Sequence, residues 1–322
     1  RLAGCHRPPL STHDPHAAAL RQQREGGAAM SRVLRDRRAI LLFIVPGFLL
    51  YTVFIILPVL WSTYYTFFSG MIGSSKWAFT GLDNYVRLFH DKKFTAALMV
   101  NVRYVAMTTF GQVTFGLLLA LMFKFWVKKH GSSIRTIVFF PVVLPVVAVG
   151  QLFTKIYEIQ PYYGLLNSLL QGLGLENLVY PWIGKADTAL GSLVAMDIWT
   201  AMGFYAIILY GALLDIPGDI LEAANIDGCN AWHLFRQILL PLLKPILLTC
   251  FVFSFTGTVK MFESALALTK GGPGTATTSL SMYMYNTAFS YQKTGYASVI
   301  ALFIFLLCVF GSRIIRAFDR KD

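Results

Sequence analysis

Long apolar runs separated by short polar segments organise this chain. A bilayer-crossing helix needs about 20 mostly apolar residues, each adding about 1.5 Å of rise. Six segments meet that requirement: residues 39–60, 94–123, 136–157, 188–214, 245–269 and 296–315. The pattern predicts an all-α polytopic membrane protein with six transmembrane helices over residues 39–322, preceded by a tail over 1–38. The first apolar run is too long for the core of a secretory leader, and no small-residue cleavage site follows it. Met30, just ahead of the basic stretch Arg32, Arg35, Arg37 and Arg38, is the expected natural start. Residues 1–29, without periodicity, read as a tag, a leader or a disordered segment.

Six spans put both termini on one side, and the excess of Lys and Arg names that side as cytoplasmic. From Met30 onward the terminus-side segments hold fourteen such residues, more than the opposite loops. The loops expected outside, 69–93, 158–187 and 270–293, are rich in Gly, Pro, Tyr and Trp and too short to form a folded soluble domain. Trp77, Tyr180 and Trp182 suit the membrane interface. Pro46, Pro58, Pro141 and Pro145 lie inside predicted spans, either bending helices around a cavity or kinking them in the ordinary way.

One polar segment, 215–244, differs from the other loops. Pro217 suits the first position of a short helix, and Gly228 can take the left-handed conformation that ends it. Asn230 can then cap a second helix through Trp232, Phe235 and Ile238 to Pro241, after which Lys244 and Pro245 re-enter the membrane. Ala223 and Ala224 leave the first helix open to close approach by another backbone, and Glu222 and Asp227 offer charge to a basic partner. The plain alternative is an amphipathic helix lying in the interface.

Composition narrows the classes. The chain is 56% hydrophobic and 14% charged, against about 25% charged in soluble domains, and its mean hydropathy is +0.58. The net charge of +12 sits in short loops beside apolar runs, a topology signal that argues against nucleic acid. Cys5, Cys229, Cys250 and Cys308 are far apart and read as structural thiols, and His6, His13 and His16 as part of a solvated tail. No cluster with metal-ligand spacing and no nucleophile elbow is present, so an enzyme is disfavoured. The sequence has no G-x-x-x-x-G-K-[ST] segment, so no cofactor is expected on this chain and ATP with Mg belongs on a separate subunit.

The pattern E-A-A-x-x-x-G, nine residues, then I-x-L-P is complete over 222–241 and resembles the signature of permease subunits of binding-protein-dependent ABC importers. Leu268-Thr269-Lys270-Gly271-Gly272-Pro273 with Ala276-Thr277 resembles a segment of sugar permeases of the larger maltose-permease type. Gly81-Leu82-Asp83-Asn84-Tyr85, Gly164-Leu165-Leu166-Asn167 and Gly295-Tyr296-Ala297-Ser298 look like the same branch. The resemblance implies that 222–228 forms a coupling helix seated in a cleft of a cytoplasmic ATPase dimer, with Glu222 a polar contact and Gly228 the elbow. It also implies a second permease as heterodimeric partner, an extracytoplasmic substrate-binding protein, a sugar as cargo, and the cytoplasmic (inner) membrane of a bacterium or archaeon. Cys229 stands where many relatives have Ala. Sugar-lining positions of the family fall here on Thr200, Phe204, Ser254, Thr258 and Met261, the family having Asn at the last two; helix packing is the alternative for each.

Asp197, Lys260 and Glu263 are ionisable residues inside predicted spans, where a charge costs about 2.5–3.5 kcal/mol on insertion scales. Lys260 and Glu263, three apart, are expected to meet on one helix face and with Asp197 to line the outward part of the path, or else to pair structurally. Two other functions stay open. An ABC permease for glycerol 3-phosphate or a related polar solute would use Lys260, and an ion-coupled secondary transporter would use Asp197 and Glu263 but would not need the 222–228 segment.

Overall fold

The structure, a computed structural model, describes residues 37–318 apart from 72, 75, 128 and 130. The expectations for Met30, Cys5 and the tail histidines fall outside these residues. The chain divides into two compact units, one up to Ser62 and one from Thr63.

The first apolar run forms α1 (Arg37–Tyr51), a π turn over Thr52–Ile56 and α2 (Leu57–Tyr65). Its side chains from Leu41 are apolar and largely exposed, with Leu42 at 71% and Phe43 at 77%. A hydrocarbon surround tolerates such a helix and water does not. The π turn has a local cause. Leu57 N–H donates to the Thr52 carbonyl, five residues back, immediately before Pro58. Widening the turn there relieves the clash between a proline ring and the carbonyl four residues earlier.

From Thr63 onward, β1 (Phe68–Ser69) and β2 (Ala78–Phe79) make a minimal antiparallel hairpin, a small departure from an all-α fold. Then come α3 (Asp83–His90), α4 (Lys92–Phe125), α5 (Gly131–Val143), α6 (Val146–Ile156) and α7 (Leu165–Gly172). They are followed by α8 (Ala186–Leu214), α9 (Gly218–Ile226), α10 (Ala231–Val259), α11 (Glu263–Leu268), α12 (Leu280–Tyr285) and α13 (Thr294–Ala317). The described residues hold five helices long and apolar enough to cross a membrane, and a sixth crossing if α5 and α6 count as one.

Two predicted spans need correction. Residues 136–157 are not one helix: α5 and α6 meet at 100°. Pro145 sits between them with φ −58° and ψ 132°, and a residue preceding proline is driven out of the helical region. The run 245–269 is displaced as well. Its helix starts at Ala231 and ends at Val259. Lys260 takes φ −88° and ψ 14° at its end, and Glu263 opens a separate helix, so the two residues do not share a helix face.

Nor does the helix after Asn230 stop at Pro241. A second π turn, Leu234–Leu239, lets Leu240 N–H donate to the Phe235 carbonyl. The helix then passes Pro241 and Pro245 without ending.

The bundle is built on α4 and α8, which pack along each other, with α10 against α4 and α5 against α8. Backbones come close where glycine permits it. A Cβ on Gly203 of α8 would fall on the Val138 carbonyl of α5. Small residues at helix contacts are expected where lipid removes any hydrophobic drive to associate.

The glycine-rich loops are closed by single polar hubs. Asn167, fully buried, donates to the Glu158 and Tyr180 carbonyls at 3.1 and 3.2 Å and accepts from the Tyr180 N–H and the Trp182 indole. Asp91 caps α4, accepting from Lys93 N–H at 2.8 Å, and ties α12 and α13 to it by accepting from the Tyr283 and Tyr296 hydroxyls at 2.5 and 2.6 Å. Burial would raise the Asp91 carboxyl, but these hydroxyls and the cap N–H groups outweigh it and hold the group below the usual range.

Gly203→Val is expected to lower the unfolding temperature in detergent, by the equivalent of about 1–3 kcal/mol. Gly211→Val, where an added Cβ meets nothing within 4 Å, serves as control. Because the folded Asp91 pKa is depressed below 3.8, its stabilisation is complete above that value and fades as pH falls through the folded one. Unfolding temperatures between pH 6 and 3 should therefore drop more steeply for wild type than for Asp91→Asn.

Candidate functional site

The polar segment between α8 and α10 folds as an elbow. Pro217, with φ −56° and ψ 137°, stands one position before the helix rather than at its first turn, and α9 begins at Gly218. Gly228 has φ +72°, as its place at the end of α9 demands. Cys229 N–H returns to the Ala224 carbonyl at 3.0 Å, and Asn230 Oδ1 accepts from His233 N–H at 2.9 Å to start α10. Glu222, Ala223 and Asp227 are exposed, but Ala224 is buried. Only Ala223 thus offers the bare outer surface expected of the pair, while Ala224 is small because it packs inward.

Two features of the elbow escaped the sequence reading. Asp215 and Asp219 are exposed alongside Glu222 and Asp227, and residues 215–228 contain four acids and no Lys or Arg. Ile226, 86% exposed, is the most exposed large apolar side chain among the described residues. An acidic knuckle with an apolar tip fits a basic, apolar-floored groove on another protein.

Inside the bundle, polar side chains on one face of α4 hold α8 and α10. The Tyr104 hydroxyl donates to the Asp197 carboxylate at 2.5 Å. Gln112 Nε2 donates to the Asp197 carbonyl at 3.1 Å, and its Oε1 accepts from Ser254 Oγ at 2.7 Å. The Thr109 and Thr258 hydroxyls lie 2.9 Å apart, and Asn101 Nδ2 donates to the Val259 carbonyl at 3.3 Å. Asn101, Tyr104, Thr109 and Gln112, spaced 3, 5 and 3 apart, fall on one side of the helix, and that recurrence of polar residues in an apolar run was the sequence signal for this seam.

The predicted path residues divide. Ser254, Thr258 and Met261 are buried within the chain. Thr258 also donates back to the Ser254 carbonyl at 2.8 Å. Thr200 is half-buried with its hydroxyl on the Met196 carbonyl at 2.8 Å, and Phe204 is 38% exposed. Asp197 joins the seam, whereas Lys260 and Glu263 are exposed. Lys155 with Glu158 makes the one ion pair among the described residues, so the pairing expected between Lys260 and Glu263 does not form. Lys260 instead borders a cavity of about 590 Å³ with Thr256, Cys308, Ser312, Arg313 and Arg316.

Residues 112–321, which include the elbow and most of the bundle, match the family described as binding-protein-dependent transport system inner membrane component. The chain belongs to this family of ABC transporter permeases. Among its relatives are "Probable ABC transporter permease protein YurN" of Bacillus subtilis, 36% identical over 83% of this chain and 90% of the relative. The sulfoquinovosyl glycerol transport system permease protein SmoG of Agrobacterium fabrum is 32% identical over 89% of this chain and 93% of its own. The trehalose/maltose transport system permease protein MalF of Thermococcus litoralis is 31% identical over 85% and 90%. In fold the permease is similar to a chain of a bacterial alginate ABC transporter, with TM-score 0.77 and 20% identity over 90% of this chain and 96% of that one.

In this permease, Tyr104→Phe removes a hydrogen bond to a carboxylate inside the bundle, a loss of about 1.5–3 kcal/mol. Thermal unfolding in detergent should register that loss, and Tyr104→Phe combined with Asp197→Asn should cost less than the two single effects added.

Proposed function

We propose that this chain is the translocation subunit of an ATP-driven importer, forming with a second, different permease the path for a sugar or oligosaccharide handed over by an extracytoplasmic binding protein. The sugar is supported by relatives named for sulfoquinovosyl glycerol and trehalose/maltose transport, and the binding protein by the alginate transporter, whose structure includes a saccharide-bound periplasmic protein. The elbow faces the cytoplasm with both termini, in the inner membrane, and docks on an ATPase dimer that holds ATP and Mg. This chain supplies no nucleotide site and performs no hydrolysis.

One observation carries the mechanism: the elbow is continuous with both α8 and α10. A push on Glu222, Asp227 and Ile226 passes directly into the helices that bear Asp197, Thr200, Phe204, Ser254 and Thr258. Phe204 and Thr200 are the side chains of that set best able to meet a sugar, the ring stacking on its apolar face and the hydroxyl serving its oxygens. Ser254, Thr258 and Met261 act behind them by fixing α10. Lys260, exposed and without an acid partner among the described residues, favours a second reading in which the solute carries a phosphate.

The elbow variants test the coupling. Gly228→Pro is incompatible with φ +72° and removes the N–H that reaches the Asn225 carbonyl. Glu222→Lys reverses a contact charge. Each should lower solute uptake by about tenfold or more, equivalent to 1.4 kcal/mol or more, while receptor-stimulated ATP hydrolysis becomes independent of transport and membrane insertion stays normal. Uptake at the wild-type rate in both variants would remove the elbow from the mechanism.

A further inference from the structure

At the end of the bundle opposite the elbow, α3, α4, α12 and α13 surround a cavity of about 560 Å³. Its walls carry Arg87, His90, Lys92, Lys93 and Lys293, together with Tyr291 and Thr287. The acid among them, Asp91, is turned to Tyr283, Tyr296 and the start of α4 and has its oxygens occupied by hydrogen bonds. Arg87 lies over the Tyr296 ring at 4.8 Å and Lys93 over the Tyr291 ring at 5.7 Å. None of these cations has a carboxylate within ion-pair distance among the described residues. The four positive charges of Arg87, Lys92, Lys93 and Lys293 therefore outnumber the one carboxylate in the lining and form no ion pair among the described residues, an arrangement that favours an anion.

The level of the cavity names the anion. Lys93 is followed at once by the apolar stretch from Phe94 on α4, and Lys293 by Thr294 and the apolar α13. The cations thus mark the height at which both helices leave the headgroup region for hydrocarbon. Phe89, next in sequence to His90, and Phe289, two residues from Thr287 and from Tyr291, are 77% and 59% exposed and supply apolar surface near the lining. Basic pockets between spanning helices bordered by aromatic rings fit lipid headgroups. We infer that this pocket holds the phosphate of an anionic phospholipid, gripped by Arg87, Lys92, Lys93 and Lys293, with the acyl chains running along the apolar flanks of α4 and α13.

The experiment uses the full chain in its assembled transporter, exchanged into nanodiscs of phosphatidylcholine with or without phosphatidylglycerol and read by native mass spectrometry. Phosphatidylglycerol should remain bound and phosphatidylcholine should not. Lys92→Gln, Lys93→Gln and Lys293→Gln combined should cut retention by about tenfold or more, whereas Lys93→Arg with Lys293→Arg should keep it. Rising salt should release the lipid from wild type, a readout that needs no variant. Equal retention of the two lipids, or wild-type retention by the glutamine variant, would overturn the assignment. Glycerol 3-phosphate or a soluble uronate that binds the wild-type pocket and displaces phosphatidylglycerol at similar concentration would also overturn it, by making the ligand a soluble anion.

Discussion

The polar seam along α4 is the constraint on which the rest of the bundle depends. Between helices in lipid there is no hydrophobic gain to set rotation or depth, so close packing and hydrogen bonds must do it. Asn101, Tyr104, Thr109 and Gln112 each bind a particular atom on α8 or α10. A rotation of either helix would leave several of these groups unpaired at once, at a cost of about 1–3 kcal/mol each.

One consequence of the seam reaches the loop after α10. Asn101 is the tenth residue of α4 and meets the last carbonyl of α10, which puts the end of α10 roughly 13 Å inside the start of α4 at 1.5 Å per residue. The chain leaves α10 at that depth and the Leu280 N–H returns to it on Asn101 Oδ1; irregular backbone within a membrane survives only if protein satisfies it. Thr277 Oγ1 donates to the Gly272 carbonyl, Thr278 Oγ1 to that of Gly271 and Ser279 Oγ to that of Met261. The threonines of the segment that resembled a transporter family thus also satisfy the carbonyls of its own glycines. Lys260, the first residue after α10, is exposed and borders the cavity that Arg313 and Arg316 also line.

What the sequence disclosed followed from how local each cause is. The elbow was legible because a left-handed glycine and an asparagine cap act within a few residues, and Gly228 and Asn230 do what their chemistry dictates. Five of the six spans were legible because length and apolarity suffice for them. The break between α5 and α6 was present in Pro141 and Pro145, but a rule that asks only for about 20 apolar residues reads across a bend. Lys260 and Glu263 were matched by helical spacing on a helix that ends at Val259, so the spacing had no helix to act on. Ser254 and Thr258 could face a cavity or a neighbour on sequence alone; in the structure they bond to Gln112 and Thr109, more than 140 residues away.

The elbow differs in charge from the rest of the chain, and that difference bears on what it can touch. Positively charged residues collect in the tail segments and around the cavity by Lys93, yet residues 215–228 hold four acids and no base. A segment placed only by topological bias would be basic on a cytoplasmic face. An acidic elbow does not follow from that bias; its exposed acids around Ile226 suit a basic groove with an apolar floor. Such acids are repelled by an anionic lipid surface, which favours an elbow held clear of lipid. The acids and the apolar tip thus both suit a protein surface better than a lipid one.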